Sequence, residues 1–314
     1  MPNPALQRIL TEIGQPNLIE VLAKQLSPSD LNSLLMEVMK QQAGEQSPAQ
    51  LLQHYLKNRF VSPSSIDSLS FVQLENELLT LARQHGFALL ELSPVAPLGS
   101  CSVIARTDQN KIVSALRGTE VVADATNVMA LEAAAQRKQA GFPASPLSFG
   151  AVHRHVRAQS LPPGKGFTAH FKVFCAITAG KDMGSLRFEE EALYRHLWFY
   201  QAFLRLVGLP NFRIVLKVFG ETNQQQNEAD NIASRVAERL TDCNPSLQRV
   251  PWAEHRYYDR IRFSLNVIHR DQEINLGDGG LVDWTQQLTG NKKERLFTSG
   301  IGLELLLKIK NGLL

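Results

Sequence analysis

From about residue 66 the chain mixes helical and strand periods, but not in regular βαβ order, and this constrains it most. LSFVQLENELLTLARQHGF spaces its apolar residues for one helical face and stops at Gly86, a residue suited to a left-handed cap. ALLELSPVAP has strand composition and ends in proline. After the polar stretch KIVSALRGTEVVADATN, a helix rich in Ala and Leu is predicted from about Thr126. AVHRHVRAQ and AHFKVFCAITAG are two β segments around the loop SLPPGKGFT, which predicts an antiparallel hairpin with a long tip. FEEEALYRHLWFYQAFLRLVG predicts a long amphipathic helix, FRIVLKVFG a strand and NEADNIASRVAERL a helix. YYDRIRFSLNVIHRDQEINLGDGG predicts a second hairpin, leading to Gly279 and Gly280, while the glutamine-rich NQQQN at 223–227 reads as a loop. Such an order points to an α+β fold, an antiparallel sheet flanked by helices, and away from a Rossmann fold.

Residues 1–60 read as a separate helical bundle. PNLIEVLAKQL, SPSDLNSLLMEVMKQQ and SPAQLLQHYLKNRF carry helical stripes, with Ser27, Ser29, Asp30 and Ser47 as candidate N-caps and Pro48 at a first helical position. A small packing or partner-binding unit is the expectation. VSPSSIDS then acts as a linker to a domain over residues 66–314.

Composition excludes several classes. A net charge of +3 is too small to imply nucleic acid by itself. The three cysteines are far apart and form no CxxC pair, which fits a reducing cytoplasm. No signal-peptide pattern and no run of about 18 apolar residues is seen, so no membrane role is expected.

Near the end, LFTSGIGLELLLKIKNGLL takes a β-prone segment through Ser-Gly-Ile-Gly into a Leu-rich helix. Two glycines there serve close packing of helix on sheet, or backbone approach to a nucleotide near a helix N-terminus. Other segments keep two readings as well. Asp124 or Thr126 can cap the helix that follows or meet a ligand amine, and Arg117, Glu120 and Asn127 share that stretch. Asp278 and Asp283 flank a diglycine, as a turn or as ligand contacts. Lys181, Asp182 and Arg187 form a solvated turn or a phosphate-contacting loop, and KKER at 292–295 reads as a surface turn. In HRHVR, alternation places His153, His155 and Arg157 on one face; a metal there lacks a third ligand in sequence, so no metal site is expected.

The order of elements resembles the class II aminoacyl-tRNA synthetase catalytic domain, nearest the branch of histidyl-tRNA synthetase and the regulatory subunit of ATP phosphoribosyltransferase. Leu92-Ser93-Pro94 resembles the end of the first motif, which implies a homodimer. VRAQSLPPGKGFTAHF resembles the second motif: Arg157 matches the arginine on the α-phosphate and Phe171 the aromatic on adenine. Gln159 and His170 stand where that motif is acidic, and Lys165 lies in its loop. RYYDRIRF resembles the paired-tyrosine segment with Tyr257 and Tyr258, and GDGGLVDW the diglycine segment with Asp278. SGIGLELLL resembles the third motif, with Gly300, Gly302 and Glu304.

The resemblance implies catalytic roles for Arg157 and Glu304. It implies nucleotide contacts by Arg157, Gln159, Phe171, Gly300 and Gly302, and substrate contacts by Glu120, Asp124, Thr126, His170, Tyr257, Tyr258 and Asp278. ATP with Mg2+ is the implied cofactor, and an active enzyme would be an ATP-dependent amino-acid or carboxylate-activating ligase. Departures redirect the function. Leu305 replaces the motif-three arginine, Val173 and Ile177 replace histidine-reading side chains, and Ala253 stands at an arginine position. No anticodon-binding domain is expected after the third motif. The expectation is a paralogue that binds an amino-acid-like ligand and an adenine nucleotide without charging tRNA. The alternative is a non-catalytic regulatory or scaffold subunit whose N-terminal helices dock a protein partner.

Overall fold

A computed structural model describes residues 3–160, 168–240, 243, 245–251, 257–270 and 272–313. Lys165 and Ala253 lie outside the described residues. The N-terminal arm holds α1 (Pro4–Glu12), α2 (Leu18–Glu20), α3 (Pro28–Gly44) and α4 (Pro48–Lys57). Ser27 caps α3, and Ser47 caps α4 in a reciprocal box with Gln50, with proline in the first turn of each. No residue of these helices is buried. Leu51, Leu52, Leu56 and Ile13 remain exposed, so the arm does not close a core of its own among the described residues.

The main unit continues with α5 (Ser68–Gln84), β1 (Ala88–Leu89), β2 (Val95–Pro97), α6 (Ser100–Ile104), β3 (Ser114–Ala115), β4 (Thr119–Val121) and α7 (Ala125–Gln139). Then come β5 (Leu147–Val156), β6 (His170–Lys181), α8 (Arg187–Leu206), β7 (Phe212–Val218), α9 (Asn223–Arg239) and β8 (Ser246–Arg249). The last elements are β9 (Asp259–His269), β10 (Gln272–Val282), α10 (Trp284–Thr289), β11 (Glu294–Gly302) and α11 (Leu303–Lys310). Eight strands form one sheet in the order β1-β5-β6-β11-β10-β9-β7-β8. Its central pairs are antiparallel, whereas the end pairs β1/β5 and β7/β8 are parallel. The α+β architecture read from the sequence is therefore the one observed.

Strand alternation divides the core in two. On one face, Phe174, Ala176, Phe263, Leu265, Phe297 and Ile301 pack with α5, α8, α9 and α11. On the other, Phe149, Ala151, Cys175, Ile177 and Leu296 pack under α7 and Trp284. Within the first layer, His196 accepts or donates at Thr178 Oγ1 (2.9 Å) and Ser299 Oγ (2.7 Å), and Tyr200 OH also meets Ser299 Oγ (2.8 Å). Burial pushes the His196 pKa from 6.5 down to about 3, so it sits neutral in this chain of hydroxyls.

Four local expectations are corrected. ALLELSPVAP is split: Ala88 and Leu89 pair with β5, and past Pro94 the chain joins a separate small sheet, β2-β4-β3. NQQQN is not a loop but the first turn of α9, because Thr222 accepts from Gln225 N–H (3.3 Å). SGIG is strand rather than turn, and α11 starts only at Leu303. Glycine serves close approach here: a Cβ at Gly277 would lie 2.2 Å from the Gly300 carbonyl oxygen. KKER is a solvated turn only at Lys292 and Lys293; Glu294 and Arg295 already belong to β11. Glu294 is fully buried in an ion pair with Arg137, and Arg295 bonds Glu189 (2.9 Å) and Asp182 (2.6 Å).

The Arg137–Glu294 pair joins α7 to β11 in an apolar layer. Arg137→Met alone should lower stability by about 3–5 kcal/mol, since it strands a buried carboxylate. Arg137→Met with Glu294→Met should recover most of that loss. Urea denaturation midpoints at constant m-value check both.

Candidate functional site

Helix α7 covers only part of its sheet face. Beyond its N-terminus the same face opens as a cleft of about 790 Å3, lined by residues of β5, β6, β9, β10, β11 and α11. Asp124 fixes that N-terminus. Its Oδ1 accepts from Thr126 N–H (3.0 Å) and Thr126 Oγ1 (2.7 Å), and its Oδ2 accepts from Tyr257 OH (3.1 Å). Burial opposes ionisation of Asp124. The Arg157 charge and the Thr126 bonds oppose it, and the carboxyl is held below its ordinary range. His155 Nε2 accepts from Ala125 N–H (3.0 Å), which leaves the proton on Nδ1, a buried atom without a partner. Burial lowers the His155 pKa from 6.5 to about 3, against the pull of Asp124.

Arg157 follows β5. Its Nε donates to Ala123 carbonyl oxygen (3.0 Å), and its guanidinium carbon lies 5.3 Å from the centre of the Phe171 ring. Tyr258 OH donates to Asp278 Oδ1 (3.0 Å), and the Tyr257 ring packs edge-on against Tyr258 and Trp284. Gly280 admits this packing, because a Cβ there would lie 2.7 Å from the Tyr258 ring. Desolvation and the Asp124 charge push the Asp278 carboxyl above its ordinary value, while Tyr258, Arg262 and Arg157 pull it down.

Eleven residues expected at the site fall on this cleft: Asp124, Thr126, Arg157, Gln159, Phe171, Tyr257, Tyr258, Asp278, Gly300, Gly302 and Glu304. Two fall elsewhere. Glu120 is enclosed under α6, where its carboxylate accepts from Gly99 N–H (2.8 Å), Cys101 N–H (3.0 Å) and Gln109 Nε2 (3.0 Å). His170 is out of phase with Phe171 on β6. Its Nε2–H donates to the Ser62 carbonyl, and its Nδ1 accepts from Arg154 Nη1 (2.9 Å). Glu304 lines the cleft but is committed: Oε1 accepts from Ser64 Oγ (2.7 Å), Arg154 Nη1 lies 3.5 Å from Oε2, and Lys308 Nζ lies 3.9 Å from Oε1.

Three features went unread in the sequence. Arg262 lines the cleft; its place follows from the alternation Arg262, Ser264, Asn266 on β9. Cys175 joins His155 and Asp124 with donor atoms within 4.8 Å of one another. The nitrogen and oxygens of that trio already accept hydrogen bonds, so a cation would have to displace them. The linker from the N-terminal arm also crosses the cleft rim. Arg59 donates to the carbonyls of Gln159 (2.9 Å) and Ala158 (3.1 Å), and the contacts of Ser62 and Ser64 lie beside these. A larger hollow of about 1230 Å3 lies beyond Tyr257 and Tyr258. Its charged groups largely pair with one another, as in Arg295–Asp182 and Arg260–Glu228.

No protein-family profile and no curated protein sequence matches the chain. Solved structures do. An Aeropyrum pernix chain described as a threonyl-tRNA synthetase superposes with TM-score 0.61 at 12% identity, over 78% of this chain and 60% of that one. The fold is that of the class II aminoacyl-tRNA synthetases. An ATP phosphoribosyltransferase regulatory subunit/histidyl-tRNA synthetase from Bacillus halodurans gives TM-score 0.60 at 13% identity, covering 80% of this chain and 83% of that one. The apo histidyl-tRNA synthetase of S. aureus gives 0.57 at 15%, covering 78% and 67%. In this class II frame, the cleft of the present chain lies on the sheet face that α7 leaves open.

Two strongly depressed histidines, His155 and His196, contribute to a pH dependence. Between pH 6.5 and about 3 the unfolded chain binds protons at His155 and His196 that the folded chain refuses. Their stabilising effect is complete above pH 6.5 and is lost as pH falls toward 3. Unfolding free energy should drop by roughly 1.4 kcal/mol per pH unit per histidine across that window. His196→Gln should remove about 1.4 kcal/mol per pH unit from the slope, read from urea melts at stepped pH.

Proposed function

We propose that this chain is a class II synthetase-like paralogue that binds a small amino-acid-like ligand beside an adenine nucleotide and does not charge tRNA. One observation carries this reading: Arg157 with Phe171, and Asp124 with Tyr257, meet on one cleft. An ionised carboxylate held among tyrosines suits a ligand ammonium. A guanidinium on a rigid hairpin suits a phosphate, which it can grip through two parallel N–H bonds. Gly302 leaves the cleft floor open, since a Cβ there would meet nothing nearer than 3.6 Å.

The residues present fit an adenine ring and an α-phosphate. ATP, when bound, would supply the phosphorus at which a carboxylate is activated. Arg157 would hold the phosphate, and Phe171 would flank the base. Mg2+ fits less well, because Glu304 spends its oxygens on Ser64, Arg154 and Lys308. Leu305 offers no guanidinium where the third motif of the resembled family has one. These two features favour a second reading, a non-catalytic regulatory subunit that keeps the ligand cleft and forms a homodimer.

Thermal shift with ATP and a panel of amino acids tests binding, and amino-acid-dependent pyrophosphate–ATP exchange tests catalysis. A ligand at about a hundred times its Kd should stabilise the protein by about 2.7 kcal/mol. Arg157→Ala should abolish the nucleotide shift, and Asp124→Asn the amino-acid shift. An unchanged nucleotide shift in Arg157→Ala removes that residue from the site. Binding without exchange selects the regulatory reading. Light scattering should give twice 35.0 kDa; a stable monomer removes the dimer.

A further inference from the structure

We infer that Arg262 makes the far end of the cleft a carboxylate site, so that the ligand is an α-amino acid with an acidic side chain. This rests on the amino-acid reading above and goes beyond it by naming the side-chain class.

The argument starts from an unmet donor. Arg262 Nε is buried and has no hydrogen-bond partner, and among the described residues the guanidinium forms no ion pair. Burying an arginine nitrogen unpaired is costly, and such a group usually has an acceptor in the working state of the protein. Most other arginines around the site are committed. Arg157 bonds the Ala123 carbonyl, Arg154 bonds His170, and Arg260 bonds Glu228.

Register then places the donor. Arg262 on β9 stands directly across from Gly280 on β10, and Ser264 stands across from Asp278. Arg262 and Asp278 are thus diagonal neighbours on the cleft face, about 7–8 Å apart at their backbones. Gly280 has no side chain of its own, and the Tyr258 ring packs over it beside β9. Asp278 stays tied to Tyr258, and its field is felt from Arg262 without a direct bond. A ligand ammonium near Asp124 and Asp278 therefore leaves the next strand over, β9, for the end of the side chain. An acidic end satisfies Arg262 Nε with a charge-assisted bond. A carboxamide offers only a neutral acceptor, and an apolar end leaves the donor stranded.

The test uses the full-length protein and isothermal titration with L-glutamate, L-aspartate, L-glutamine, L-asparagine and L-leucine at fixed ionic strength. A charge-assisted bond predicts that one acidic amino acid binds at least about tenfold tighter than its amide. Arg262→Met should reduce that ratio to about one and leave the amide's affinity within about twofold. Arg262→Lys should keep part of the preference, and it guards against a folding defect in the methionine variant. Equal affinity for acid and amide overturns the proposal, as does a preference that survives Arg262→Met. Binding of amides or leucine that depends on Asp124 but shows no acid preference overturns this inference alone and leaves the amino-acid reading standing. No amino-acid binding at all overturns both.

Discussion

The cleft depends on one contact, the N–H of Ala125 donated to the neutral imidazole of His155. It fastens the start of α7 to β5 and so decides how much of the sheet face the helix covers. With that start fixed, Asp124 becomes both a helix cap and a lining group of the opening. The contact requires His155 to be uncharged on Nε2, which its burial secures. The ion pair of Arg137 with Glu294 fixes the other half of the same helix to β11. Between the two anchors α7 has little freedom to slide, and the polar groups beyond it keep their spacing.

The cleft itself is organised by sheet register. Arg157, Phe171, Gly300, Asp278 and Arg262 sit on or just beyond five consecutive strands, and their order across the sheet sets a sequence of charges. A guanidinium comes first, carboxylates lie in the middle, and a second guanidinium comes last. The opposite face carries four helices and, apart from the hydroxyl chain at His196, is apolar, so these polar groups fall on the open face. The cleft thus carries charges of alternating sign along a sheet floor.

Much of this was legible in residues whose neighbours share their period. Helix α7 and the β5/β6 hairpin followed from local pattern, whereas Arg157 with Phe171 and the Tyr257–Tyr258 pair were pointed to by the family resemblance. The failures have physical causes. Glu120 was read as facing a ligand, but three donors around α6 claim it. His170 lies next to Phe171 in sequence and therefore on the other side of the pleat. The SGIG segment looked like a turn because glycine often marks one, whereas here it runs as strand and its close neighbour is Gly277 on β10, where a Cβ would meet the Gly300 carbonyl. Arg262 carried no motif; only the register of β9 against β10 reveals where it stands.

The linker between the N-terminal arm and the sheet adds a mechanical property. Within six residues, Arg59, Ser62 and Ser64 hold the end of β5, the start of β6 and the start of α11. These are three walls of one opening, joined by a single short tether whose outer end carries helices with no buried residue of their own. Tension or torque applied to the arm therefore reaches the mouth of the cavity directly, without passing through the hydrophobic layers.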